Sequence, residues 1–193
     1  WASDNTHGLI PTLFTPDQTP DGTEFVLTNA IYFKSFWKSR FQKAATEQLP
    51  FYKLDGSQQN VPTMVHTANY KTGQVADLQS VWIEIPYEGE EFSFLVVMPT
   101  AVDGFNNLQK HFTDTHFTTI LESLKSRYGG EKTILHLPKF ELSTDLQELV
   151  DTMKKLGLTD IFENYSKLPG ITGDALKVDK IVQKAKIKVD EED

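Results

Sequence analysis

Cysteine is absent from the 193 residues. That excludes a disulfide framework and thiolate chemistry, and it leaves the redox compartment unread. Long apolar runs are missing too, so no segment spans a membrane as a helix. No charged stretch followed by an apolar one stands at the N-terminus, so no signal peptide is visible, although Trp1 reads as mid-protein sequence. Basic charge is in short supply: 19 Lys and Arg against 27 Asp and Glu give a net charge of −8. Such a chain is a poor nonspecific binder of nucleic acid, and its charge reads as solubility. There is no internal repeat and no low-complexity tract. What remains is an ordinary globular composition, 39% hydrophobic and 24% charged, long enough for one domain or two small ones.

Catalytic signatures are lacking as well. The sequence contains no nucleophile elbow, no phosphate-cradling glycine loop and no dinucleotide fingerprint. His7, His66, His111, His116 and His136 include no helical metal pair, since His111 and His116 are five apart and fall on different sides of a helix. His136, on an expected strand, reads as structural. Neither a metal nor a cofactor is expected, and no enzyme activity. The lysines at 184, 186 and 188 would suit a polyanion, but Asp190 to Asp193 follow at once, so they read as a strand's solvent face.

The pattern that is present is mostly strand, then helix, then strand, which argues for an α+β fold. Residues 11–22 read as a loop and turn ending at Asp21-Gly22. From Glu24 a strand covered on both faces is expected, with Phe25, Leu27, Asn29, Ile31 and Phe33 on one face. A hairpin turning at Asp55-Gly56 is expected over 50–64, then strands over 70–79, 81–87 and 92–98. The last, Phe92 to Met98, is so apolar that burial on both sides is expected. Helices are predicted over 105–112 and 114–125, a strand over 133–142, and a helix opening at Thr144 with Gln147 as its capping-box partner and Gly157 as its C-terminal cap. A final strand is predicted over 180–191, with Ile181, Gln183, Ala185, Ile187, Val189 and Glu191 on one face.

Two amides interrupt apolar strand faces, Asn29 and Gln183. A buried amide without partners costs about 1–3 kcal/mol. Each is therefore expected to find a hydrogen bond, either from the other, if the strands are adjacent, or separately from backbone or water. Lys139 and Glu191 form a candidate ion pair of the surface kind, contributing about 0–1 kcal/mol. Asn164-Tyr165-Ser166 is an acceptor pattern for N-glycosylation, a faint pointer to secretion.

Several segments resemble the serpin family, in the family's order and over the whole chain. Trp1, Thr6, Gly8 and Ile10 are similar to the end of the helix crossing the main serpin sheet. Leu27 to Lys34, with Trp37 and Phe41, resembles a central strand of that sheet. Further matches are Thr46 to Phe51, Pro62 to Met64, Phe94 to Pro99, Leu135 to Phe140, Leu156 to Leu158 with Ile161-Phe162, and Lys184-Ala185 through Asp190-Glu191-Glu192. The resemblance implies a large mixed β-sheet plus a second antiparallel sheet with flanking helices. Residues 1–193 would be an incomplete part of a single serpin domain, lacking the N-terminal half, the reactive loop and the last strands. Such a piece is expected to leave apolar faces bare and to need the remainder of the serpin chain.

The resemblance also implies a mechanism. A protease attacks an exposed loop, the cut loop inserts as a new strand in the main sheet, and the acylated protease is distorted, so stored fold energy is spent once. Insertion parts the strands of Asn29 and Gln183, which would form the gate. Trp37, Lys139 and Glu191 would mark the upper end of the sheet, where the loop first enters, and Glu192 and Asp193 the loop hinge. The partner would be a protease, serine-type or cysteine-type, and the protein would be secreted. Two departures stand out. The family usually has histidine where this chain has Gln183, which still donates and accepts but without pH sensitivity. It also usually has glycine at Asp193, where aspartate would stiffen the hinge and carry a charge. That leaves open an insertion-impaired serpin, acting as a reversible protease blocker or a noninhibitory binding protein. A hydrolase whose site lies outside these residues is a third reading, disfavoured by the missing motifs.

Overall fold

The structure, a computed structural model, describes residues 1–193 except 16–20, 24, 127–128, 145–146, 164–169, 172–175 and 193; for 147–148 it describes the backbone. In chain order the elements are α1 (Ala2–Asn5), β1 (Val26–Asn29), β2 (Glu47–Tyr52), β3 (Gln58–Val75), β4 (Ser80–Pro86), β5 (Ser93–Pro99), α2 (Phe105–His111), α3 (Asp114–Ser126), β6 (Glu131–Pro138), β7 (Phe140–Ser143), β8 (Gln147–Glu148), α4 (Val150–Lys155), β9 (Lys180–Gln183) and β10 (Lys186–Val189). They fall into two compact units, residues 1–33 with 141–188 and residues 34–140 with 189–193.

The second unit is built on β3. This long strand pairs antiparallel with β2 and β6 through one stretch and with β4 through another, and β4 pairs with β5. The result is a five-stranded antiparallel sheet. The expected Asp55-Gly56 turn closes β2 onto β3, with Asp55 Oδ1 accepting the Ser57 amide at 2.8 Å. Two apolar clusters form its core. One gathers Trp37, Phe41, Met64, Tyr70, Ile85, Leu135, Leu137 and Val189. The other joins Val75, Leu78 and Trp82 to Leu108 of α2 and Ile120 of α3. Gly73 is where β3 meets the Trp82 indole: a Cβ there would lie 2.5 Å from the ring, so only glycine lets the two approach. β5 has apolar packing on both faces, as expected, with Phe94 and Val96 against the first cluster and Leu95 and Val97 against the second, but its residues are half-buried rather than fully buried.

The first unit holds a three-stranded mixed sheet in the order β1-β9-β8, with β1 parallel and β8 antiparallel to β9. Phe162, Val178 and Ile181 pack under it with Phe25, Leu149, Val150 and Met153. In α1, the Thr6 hydroxyl donates to Ala2 O at 2.7 Å and accepts the Ile10 amide at 3.0 Å, which closes the helix. The α+β class holds; among the described residues the mixed sheet has three strands and the antiparallel one five, with β7 and β10 forming a separate two-stranded ladder.

Three expectations are corrected here. The strand expected over 25–33 is four residues long, because its ladder with β9 stops at Gln183. Its supposedly covered face is open, with Leu27 47%, Ile31 73% and Phe33 51% exposed. The helix expected from Thr144 begins at Val150, since the backbone of 147–148 is engaged by β9. Thr144 does not cap it: its hydroxyl accepts the Ala185 amide at 3.0 Å and its amide donates to Ala185 O at 2.9 Å. The same bonds interrupt the expected final strand at 184–185, so that it becomes β9 and β10, and β10 pairs instead with β7. The expected cap at Gly157 is present. Its φ is 94°, and the Gly157 and Leu158 amides bond Lys154 O and Met153 O at 3.0 Å each, a Schellman ending.

Candidate functional site

Two places in the chain concentrate the candidate residues, one in each unit. In the first unit, Asn29 of β1 and Gln183 of β9 are register partners in adjacent parallel strands. The two amides singled out by the sequence are thus side by side across one ladder. The burial expected of Asn29 is not found: it is exposed, and Gln183 is half-buried. Among the described residues neither side chain has a hydrogen-bond partner, and no buried side-chain nitrogen or oxygen is left unsatisfied. The backbone ladder, not an amide bridge, holds the two strands together here.

In the second unit, Trp37, Lys139 and Glu191 converge on the segment Asp190–Glu192. Trp37 is 1% exposed. Its indole stacks on Tyr87 at 4.7 Å and meets Phe41 and Phe94 edge-on. Burial leaves the indole N–H in need of an acceptor, and it donates to Asp190 O at 2.8 Å. Beside it, Lys139 Nζ reaches Glu191 Oε2 at 2.6 Å. The Thr46 hydroxyl donates to the other carboxylate oxygen at 2.7 Å.

This is not the surface pair expected from the sequence, since Glu191 is only 4% exposed. Burial pushes its carboxyl up, but the hydrogen bonds from Lys139 and Thr46 outweigh burial and hold it below the usual glutamate range. Glu192 is gripped as well. Lys43 Nζ pairs with its Oε1 at 2.8 Å, its carbonyl accepts the Trp37 amide at 3.4 Å, and its own amide donates to Asp190 Oδ1 at 2.9 Å. Asp193 and Asn164 lie outside the described residues.

Thr46 and Lys43 are the residues that sequence reasoning missed. A usable signal was the clustering of Lys34, Lys38, Arg40 and Lys43 in an acidic chain that also carries the run Asp190 to Asp193. Only part of that cluster serves the run. Lys38 pairs with Glu90 at 2.6 Å and Arg40 with Glu88 at 3.3 Å across the turn that follows β4.

His116 Nε2 donates to Asp77 Oδ2 at 2.8 Å, and Nδ1 lies 2.8 Å from the Thr113 hydroxyl. That chain superficially suits nucleophilic catalysis, but Nδ1 also accepts the Thr113 backbone amide at 2.9 Å. The imidazole is therefore capping the start of α3, and its lone pair is already engaged. His136 is exposed on β6. Among the described residues no group of His, Cys, Asp and Glu could hold a metal ion, and no helix is long and apolar enough to cross a membrane.

Comparison with known proteins agrees with this geometry. The family model "Serpin (serine protease inhibitor)" matches residues 1–193. Antichymotrypsin-2 of Bombyx mori is 36% identical over 193 residues, covering 100% of this chain and 50% of that protein. Glia-derived nexin of Mus musculus is 35% identical over 204 residues, covering 100% of this chain and 49% of its own length. Among solved structures, native protease nexin-1 with heparin superposes with a TM-score of 0.82 at 32% identity, over 100% of this chain and 53% of that one. Uncleaved ovalbumin gives a TM-score of 0.88 at 25% identity, over 100% and 51%. The chain thus spans about half the length of the relatives it matches, and it belongs to the serpin family.

Proposed function

We propose that the protein to which this chain contributes is a protease inhibitor of the trapping type. It presents a reactive loop to a serine-type protease, and after cleavage the loop inserts as a strand between β1 and β9. The observation that carries this reading is the parallel pairing of β1 with β9, with Asn29 opposite Gln183. A third strand can enter only where two neighbours part, and this ladder is short enough to open: it has few rungs and no side-chain bond between the two amides among the described residues. Catalysis is not part of the reading, since the protein is consumed as it acts. Residues 1–193 are taken as part of one serpin domain, completed by the remainder of the serpin chain. Mixing the full-length protein with a panel of serine proteases tests the proposal on a denaturing gel. A covalent complex is expected; cleavage without any complex would overturn it.

The alternative is an insertion-impaired serpin that blocks a serine- or cysteine-type protease reversibly, or binds a partner without inhibiting it. Asp193, where the family usually has glycine, favours it. Melting the full-length protein before and after loop cleavage separates the two, because insertion raises the melting temperature strongly and its absence leaves it unchanged. Secretion as a glycoprotein is proposed on Asn164-Tyr165-Ser166. Protein from the medium of eukaryotic cells should then shift in mobility on N-glycosidase treatment and not after Asn164→Gln.

A further inference from the structure

Lys43 stands among three carboxylates. It pairs with Glu192 at 2.8 Å, and Glu192, Glu191 and Asp190 together hold its ammonium above the usual lysine range, with the hydrogen bond to Glu192 the largest cause. The backbone of Glu192 is tied at the same place, because its carbonyl accepts the Trp37 amide. Trp37 is itself immobilised by its stack on Tyr87 and its bond to Asp190 O. Glu192 is therefore held at three points, its carbonyl by Trp37, its amide by Asp190 Oδ1 and its exposed carboxylate by Lys43. The ion pair is the exposed and salt-sensitive restraint of the three, with 71% of the Lys43 side chain and 58% of that of Glu192 open to solvent.

We infer that Lys43 is a positioning residue that restrains Glu192, and with it the segment Asp190–Glu192, so that release of this ion pair accompanies movement of the chain that follows. The inference rests on the trapping reading for its consequence, not for the contact. A loop that inserts must turn its backbone about the residues next to Glu192, and a side chain clamped to Lys43 opposes that turn. Loss of the clamp should speed insertion by the modest factor that an exposed pair commands.

Two measurements on the full-length protein test it. In hydrogen exchange, Lys43→Ala and 0.5 M salt should each speed exchange of the Trp37 amide by about two- to fivefold. Unchanged exchange in both would overturn the restraint. In trapping assays with trypsin, chymotrypsin and elastase, Lys43→Ala should raise the rate of covalent complex formation by a similar factor of about two to five and lower the number of inhibitor molecules consumed per protease. Lys43→Glu should do the same, and Lys43→Glu with Glu192→Lys should return both values to those of the parent. Parallel melting curves control for a general loss of fold. If the parent traps and the variants trap at the same rate, or more slowly, the positioning role is wrong. If the parent traps none of the proteases, the trapping reading fails and the functional role falls with it, while the exchange result still decides the contact.

Discussion

Lys139 lies 2.6 Å from Glu191, whose carboxylate is 5% exposed, while the lysine remains one-third open to solvent. The asymmetry matters. Removing the lysine strands a buried charge without its cation, held by the Thr46 hydroxyl and a backbone amide, whereas removing the glutamate leaves a lysine that can turn to water. The pair also anchors the residue next to the Trp37–Asp190 bond, so its loss loosens a segment and not only a contact.

Lys139→Ala is accordingly expected to lower stability by about 1–3 kcal/mol, and Glu191→Gln by less, because the glutamine oxygen can still accept from Lys139 while its NH2 donates to the Thr46 hydroxyl, which can turn to accept. Denaturant unfolding of the full-length protein checks the order of the two variants. A larger loss for Glu191→Gln would show that the carboxylate, not its orphaning, sets the energy.

The acid limb of stability should carry the signature of Glu191. Its folded carboxyl titrates below its unfolded value despite burial, held down by Lys139 and Thr46. The associated stabilisation is therefore complete above the ordinary glutamate range and is lost as pH falls through the folded value. Melting temperature should drop between about pH 5 and pH 3, and drop less steeply in Glu191→Gln. Parallel slopes would mean that the pair contributes nothing to acid denaturation. Asp55, Asp77, Glu141 and Glu192, also held low by hydrogen bonds from Ser57, His116, Lys186 and Lys43 respectively, act in the same direction and contribute to the slope that remains.

Asn29 and Gln183 stood out in the sequence because each interrupts an apolar strand face, and the serpin resemblance implied that their strands are neighbours; the parallel register that places them opposite one another was not legible. The ion pair of Lys139 with Glu191 was legible as a pairing but not in its burial, since alternation does not say how deeply a strand end is covered. Trp37 was singled out, yet its acceptor, a backbone carbonyl, leaves no trace in a sequence. The failures share a cause. At Thr144 and at Ala185, local propensity favoured a helix start and an unbroken strand, and long-range hydrogen bonds between those residues overrode both. Thr46 and Lys43 were missed because each acts through a single contact far away along the chain.

Gly73→Ala tests how firmly the second unit is built around Trp82. The indole is 2% exposed, and the new methyl would sit 2.5 Å from its ring, so ring or backbone must move. A loss of about 1–3 kcal/mol is expected, with a change in tryptophan fluorescence as the ring shifts. Gly73→Ala with Trp82→Phe should recover part of the loss, since the smaller ring withdraws the clashing atoms. No recovery would place the cost in the backbone of β3 and not in the contact.

Asn29→Ala separates a side-chain bridge from a backbone ladder. A buried amide with a partner would cost about 1–3 kcal/mol on removal. Asn29 is exposed and without a side-chain partner among the described residues, so in this arrangement the substitution should change stability by no more than about 0.5 kcal/mol. Thermal melting of the 193-residue chain and of the full-length protein reads the difference. A small effect in the short chain with a large one in the full protein would mean that residues outside these 193 cover Asn29 and supply its partner. Small effects in both would leave the β1–β9 ladder as what keeps the two strands together.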